Sequence, residues 1–112
     1  MTGKKFPRRG EIYWVNLDPT IGSETKKLRP CLIVSNDLGN ELSKMVMIAP
    51  ITSKIKNVYP FEVEATIAGK PAKIMLNQCR AIDKSRIAGF IEEVDIKIKL
   101  VDEAIKLVFG IN

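Results

Sequence analysis

The sequence predicts an α+β domain: a small SH3-like β-barrel or strongly bent antiparallel sheet with one C-terminal α-helix. Three observations carry this. Short apolar runs of strand character recur between turn signals, the period turns helical only near the C-terminus, and no segment repeats. With 112 residues, 46% of them hydrophobic and 28% charged, residues 1–112 have material for one modest core and are expected to form a single domain.

Residues 1–9 read as a mobile basic arm. From Glu11 to Leu17 the chain alternates, with Tyr13, Val15 and Leu17 on one face and Ile12, Trp14 and Asn16 on the other, which predicts a strand. Asp18-Pro19 ends it, because proline restricts the residue before it and donates no ladder hydrogen bond. Cys31 to Ser35 is a continuous branched run, as expected of a strand covered on both faces. Asn36-Asp37 and Gly39-Asn40 are turn signals. A third strand is predicted from Met45 to Ile51. In a fourth, Phe61 to Thr66, Glu62 and Glu64 alternate with Phe61, Val63 and Ala65 and mark one wet face. Gly69-Lys70-Pro71 turns the chain into the apolar run Lys73 to Cys79. Asp83-Lys84-Ser85-Arg86 reads as one helical turn or a tight loop before a last strand, Ile87 to Ile91.

The period then changes. Val94, Ile98, Val101, Ile105 and Val108 recur at helical spacing, and Gly110 stands where a helix stops. Ile96, Leu100 and Leu107 widen the apolar stripe. The excess fits either a partner subunit or a helix lodged deep in its own concave sheet.

The net charge of +5 suits an acidic partner such as nucleic acid, and equally suits a protein that is merely soluble. Cys31 and Cys79 each sit in an apolar run, as reduced buried thiols do. With no histidine and no clustered cysteines, the usual transition-metal ligand sets are missing, and no tight Asp/Glu group marks a magnesium site. No metal and no cofactor are expected. No apolar run has signal-peptide or membrane-spanning length, so the expected location is the cytoplasm.

The connection from Asp18 to Asn36 holds the densest chemistry. Gly22, Ser23, Glu24, Lys26, Lys27 and Arg29 offer a flexible backbone, a hydroxyl, a carboxylate and three cations, a set suited to a phosphate. A solvated connection whose charges only keep it in water has the same composition.

Arg9-Gly10-Glu11-Ile12-Tyr13-Trp14-Val15, Asp18-Pro19-Thr20, Gly22-Ser23-Glu24, Arg29-Pro30, Ile51-Thr52, Gln78-Cys79-Arg80-Ala81-Ile82-Asp83-Lys84 and the closing amphipathic helix resemble the MazF/PemK family of bacterial toxins. The match runs in unbroken order from about Arg9 to the C-terminus. The resemblance implies a sequence-specific, ribosome-independent endoribonuclease that cuts single-stranded mRNA, works as a homodimer and is neutralised by a cognate antitoxin. It puts the catalytic pair on Arg29 and Thr52, the glycine-serine-glutamate loop on Gly22, Ser23 and Glu24, and groove residues on Gln78 and Arg80. The chain departs from the family pattern in two places. Thr25, Lys26, Lys27 and Leu28 replace a small or glycine-containing spacer, and Met75 and Asn77 stand where one branch has an arginine and an aspartate.

A metal-free ribonuclease makes RNA attack itself through its 2′-hydroxyl, leaving a 2′,3′-cyclic phosphate and a 5′-hydroxyl. It needs a proton acceptor, a proton donor and positive charge on the phosphorane. Histidine usually moves the protons, and none exists here. Arginine is a poor base but a geometrically fixed donor to phosphate, so Arg29 is assigned to the transition-state charge and to donation toward the leaving oxygen. Thr52 would hold the phosphate in line, and Glu24 is the carboxylate placed to accept the 2′-proton. Each has a plain alternative: Glu24 in a salt bridge to Lys26, Lys27 or Arg29, Thr52 as a strand-end turn residue, Arg29 as a loop cation.

Lys54, Lys56 and Arg80 are assigned to phosphate contacts, with Lys26, Lys27 and Ser53 beside them. Tyr59 and Trp14 are stacking platforms for unpaired bases, although Trp14 alternates within an apolar strand and is read as core. Gln78 and Asn36 are base-edge readers or buried amides bracing the sheet. The expected partners are single-stranded RNA, an acidic and largely disordered antitoxin, and a second copy of the chain. Two rival readings are a gyrase-poisoning toxin of the same fold and a non-catalytic RNA-binding module.

Overall fold

A computed structural model describes residues 6–17, 28–94 and 98–111. Among these, seven strands form one antiparallel sheet: β1 (Glu11–Asn16), β2 (Leu28–Ile33), β3 (Met45–Thr52), β4 (Glu62–Ile67), β5 (Lys70–Met75), β6 (Arg80–Asp83) and β7 (Ile87–Glu93). Two helices accompany them, α1 (Asp37–Leu42) and α2 (Ile98–Phe109). The order across the sheet is β4-β5-β3-β2-β1-β7, and β6 also pairs with β3. The bend sits in β3. Its first half pairs with β6, from Met45↔Asp83 to Ile48↔Arg80, and its last two residues pair with β5, Ile51↔Ile74 and Thr52↔Lys73. Its other edge pairs with β2 through Cys31↔Pro50, Leu32↔Ala49 and Ile33↔Ile48. A strand that changes partner along one edge must curl the sheet, so the predicted bent sheet with a C-terminal helix is what forms.

Successive strand residues point to opposite faces, and β1 and β2 bury apolar groups on both. Ile12 and Leu32 join Ile51, Ile74, Leu76, Val101 and Ala104 in the core beneath α2. Val15, Cys31 and Ile33 join Val46, Ile48 and Ile82 on the other side, with Tyr13 and Leu17 packed against them. The predicted face of Tyr13, Val15 and Leu17 is therefore a packing face.

Three sequence expectations change. The turn predicted at Asn36-Asp37 and Gly39-Asn40 is helix α1, because the Asn36 side chain accepts the Gly39 N–H at 2.7 Å and so caps a helix. Asn40, fully buried, bonds Ser35 through both its amide and its carbonyl oxygen, and the Ser35 hydroxyl in turn accepts the Met47 N–H. The run Lys73 to Cys79 is not one strand: β5 starts at Lys70, and Leu76–Gln78 form a 3₁₀ turn. Arg8 and Arg9, placed in a mobile arm, are tied down. The Arg9 guanidinium donates to Asp102 at 2.7 Å and to the Val34 carbonyl at 2.9 Å, and the Arg9 N–H donates to Asp37.

α2 buries Val101 and Ala104, and it stops at Gly110, whose φ of +70° is the left-handed geometry that ends helices. The Ile111 N–H closes the cap by donating to the Lys106 carbonyl at 2.8 Å. The widened stripe is not absorbed by the chain's own sheet. Leu100, Leu107, Phe109 and Ile111 are each more than half exposed, and Ile96 lies outside the described residues. No helix among the described residues is long and apolar enough to cross a membrane.

Candidate active site

Arg29 is the second residue of β2 and Arg80 the first of β6. Arg29 lies across from Val15 of β1, and Arg80 across from Ile48 of β3. Both arginines line one cavity of about 190 Å³ together with Leu17, Pro50, Ile51, Met75 and Gln78. The cavity thus has an apolar floor and a rim of two guanidiniums and an amide. Both arginines are exposed, and among the described residues neither forms an ion pair.

The thiol beneath them reports their field. Cys31 is fully buried, and desolvation pushes its pKa up to about 12 against the pull of Arg80 and then Arg29. Two guanidiniums therefore act on one sulfur from two strands. The Cys31 thiol donates to the Arg29 carbonyl at 3.6 Å.

Thr52 ends β3 on the same face as Pro50. The β2–β3 register ends at Cys31↔Pro50, two residues short of Arg29 and Thr52, and Pro50 lines the arginine cavity while Thr52 pairs with Lys73 of β5. The Thr52 hydroxyl oxygen accepts the Lys54 N–H at 3.1 Å, which leaves its own proton free to donate. The fold thus brings Arg29 and Arg80 to one cavity although 51 positions separate them, and Thr52 follows directly on Ile51 of its lining.

Gln78 stands on the same rim. It is exposed, so it is not a bracing amide; its amide nitrogen lies 3.5 Å from the Met75 sulfur. Lys54, Lys56 and Tyr59 are exposed on the connection after Thr52, where Tyr59 stacks on Phe61 with ring centres 5.4 Å apart. Ser53 faces elsewhere, into a cavity of about 400 Å³ with Trp14, Pro30, Ile67, Pro71 and Ile91. Trp14, read as core, is 43% exposed and forms a wall of that second cavity. Asn36 lies beyond the opposite end of β2 as the cap of α1 and is not brought to the arginines. Gly22, Ser23, Glu24, Lys26 and Lys27 lie outside the described residues. Among the described residues, no group of three His, Cys, Asp or Glu side chains is placed to hold a metal ion.

Sequence reasoning missed Lys73. Read as part of an apolar run, it is a buried cation, 7% exposed, across from Thr52 in β5. A lysine between Ala72 and Ile74 in a strand was the available signal.

A small basic half-barrel that gathers two exposed arginines at one cavity presents positive charge suited to an anionic ligand. Its family is settled by comparison. Residues 8–109 match the PemK-like, MazF-like toxin of type II toxin-antitoxin systems, and the chain belongs to this family. It is similar to endoribonuclease MazF9 of Mycobacterium tuberculosis, with 39% identity covering 89% of this chain and 93% of that one. It is 35% identical to endoribonuclease EndoA of Bacillus subtilis, over 89% of this chain and 91% of that one. A crystal structure of MazE-MazF from Deinococcus radiodurans superposes with a TM-score of 0.76 at 27% identity, covering 95% of this chain and 98% of that one. The resemblance drawn from the ordered motifs is borne out.

Proposed function

We propose that this chain is the toxin of a toxin-antitoxin pair and an endoribonuclease that cuts single-stranded mRNA by attack of the 2′-hydroxyl on the adjacent phosphate. The observation that carries the reading is the meeting of Arg29 and Arg80 at one cavity, with Thr52 next in the chain to Ile51 of its lining. In the reaction the 2′-oxygen bonds phosphorus, the bond to the 5′-oxygen breaks, and a 2′,3′-cyclic phosphate and a 5′-hydroxyl end remain. Arg29 and Arg80 offset the charge on the phosphorane, since fixed donors aimed at developing charge lower the barrier. The Thr52 hydroxyl donates to a phosphate oxygen and holds the group in line. Glu24 takes the 2′-proton, and the Arg29 guanidinium donates a proton to the leaving 5′-oxygen and is reprotonated from solvent. Lys54, Lys56 and Tyr59 hold flanking RNA.

The resident partners follow from charge and apolar surface. An acidic antitoxin segment in the same basic groove would exclude RNA and fold as it binds. A second copy would cover Leu100, Leu107 and Phe109, which one chain leaves bare. The decisive experiment incubates the protein with long single-stranded RNA in EDTA beside Arg29→Ala and maps the new ends. Discrete cuts with 5′-hydroxyl ends that vanish in the variant are expected. Intact RNA from folded protein, across several unrelated RNAs, would defeat the proposal.

A further inference from the structure

The connection between β3 and β4 follows Thr52 directly and carries Lys54, Lys56 and Tyr59. Residues 53–60 are all exposed, so the loop has no core of its own to fix its shape. It is held from beneath by one ion pair. The Lys73 ammonium sits 2.9 Å from Glu62 Oε1, and the two side chains are only 9% and 6% exposed. Both groups also grip the loop backbone. Lys73 Nζ donates to the Asn57 carbonyl at 3.3 Å, and Glu62 Oε1 accepts the Tyr59 N–H at 2.9 Å. The Glu62 N–H donates back to the Tyr59 carbonyl at 2.8 Å. Asn57 has a φ of +59°, the left-handed turn conformation that asparagine takes more readily than most side-chain-bearing residues. The ammonium also lies 5.8 Å from the centre of the Tyr59 ring, close enough for a cation–π attraction. Lys73 is across from Thr52 in the sheet, so one residue ties the loop's middle to its starting point.

We propose that the buried Lys73–Glu62 pair is the positioning unit of this nuclease, setting the β3–β4 loop so that Lys54, Lys56 and Tyr59 face RNA flanking the cut. The inference rests on the RNA-cleaving function proposed for the arginine cavity. Neither residue touches the reacting atoms. Their effect falls on substrate binding: without the pair the loop samples many shapes and its cations and ring are no longer preorganised.

The test compares full-length wild type with Lys73→Met, Glu62→Gln and the charge-conserving Lys73→Arg on one long single-stranded RNA. In Lys73→Met, KM should rise about 10-fold with kcat within about 3-fold, the signature of weakened uniform binding. The slope of log affinity against log salt should shrink by about 0.7 for each lysine that no longer reaches a phosphate. Lys73→Arg should recover most of the KM, and amide exchange across residues 53–61 should quicken in Lys73→Met and Glu62→Gln but not in Lys73→Arg. A lowered unfolding midpoint with unchanged KM, salt slope and loop exchange would overturn the proposal, because a merely structural pair behaves that way. Should Lys73→Met fail to fold, Glu62→Gln carries the same readouts, since it removes the charge and keeps the acceptor for Tyr59. Affinities are also measured in an Arg29→Ala background, where binding is read without cleavage. Wild type that binds and never cuts would defeat the nuclease function, while the affinities and exchange still decide the loop.

Discussion

Two cationic places lie on strands that share β3 as their neighbour and are built in opposite ways. At the 190 Å³ cavity, Arg29 and Arg80 are exposed, and neither has an ion-pair partner among the described residues. Beneath the β3–β4 loop, Lys73 is closed over and satisfied by a carboxylate, a carbonyl and a ring face. The fold uses β5 and β4 to neutralise one cation and leaves two others exposed on β2 and β6, the strands that flank the rest of β3. A charge kept in reserve for a phosphate stays solvated, which costs little until the ligand arrives. One that must hold backbone is buried and paired, because an unpaired buried charge is destabilising.

The sharpest break of this contrast is to remove one cation from each place and compare the consequences. Arg29→Ala should lower the rate of RNA cleavage by about 10²–10³, roughly 3–4 kcal/mol of transition-state stabilisation. Its urea midpoint should stay within about 0.5 kcal/mol of wild type, since Arg29 is exposed and anchors nothing among the described residues. Lys73→Met should do the reverse in stability, lowering it by about 3 kcal/mol, because it strands Glu62 in a buried site.

The same pair gives a pH dependence whose sign is fixed. Burial raises the Glu62 pKa, but the Tyr59 N–H and the Lys73 ammonium more than offset it and hold the carboxyl below its usual range. A carboxyl whose folded pKa is depressed contributes stability that is fully present above its unfolded pKa, about 4.3, and is lost as pH falls through the folded value. The stability gap between wild type and Glu62→Gln should therefore be widest near neutral pH and close in acid. Urea denaturation at a series of pH values checks it, and a gap that widened in acid would contradict the assignment.

The apolar cavity on the opposite face of β1 and β2 sharpens the contrast further. Pro30 lies beside Arg29 in sequence and across from Trp14 in the sheet, yet Pro30 and Trp14 line the 400 Å³ cavity while Arg29 lines the other. Alternation along one strand separates charge from apolar wall. Trp14→Ala should cost about 1–2 kcal/mol in urea denaturation, less than the value for a fully buried tryptophan because the ring is 43% exposed.

How much of this was legible in the chain depends on whether the signal was local. The helical spacing of Val94, Ile98, Val101, Ile105 and Val108 and the stop at Gly110 needed only neighbouring residues, and α2 follows all of them but Val94, which precedes the helix. The bent sheet was legible from strand count and turn signals. The meeting of Arg29 with Arg80 could not be read from spacing, because it depends on which strand β3 pairs with at each point along its edges; the pairing of Arg29 with Thr52 was supplied by the family resemblance alone. Lys73 was missed because pattern reading treats a lysine in an apolar run as an interruption, whereas here Glu62 and the Asn57 carbonyl enclose it. Trp14 was misplaced because alternation assigns a face and not the depth to which the bent sheet covers it.

The smallest expected effect separates the reserved chemistry of the cavity from polar groups spent on structure. Asn36 carries an amide suited to reading a base edge, but its oxygen already accepts the Gly39 N–H at the start of α1. Gly39 leaves that oxygen room, since a Cβ there would stand only 3.3 Å from it. Asn36→Ala should lower stability by about 1 kcal/mol, the usual cost of removing an N-cap, and Asn36→Asp should restore it because a carboxylate caps equally well. Mapping the cut sites of both variants on one RNA completes the test. Unchanged cut positions at reduced stability would assign Asn36 to the cap, and altered positions would return it to the RNA groove, with α1 then belonging to the recognition surface.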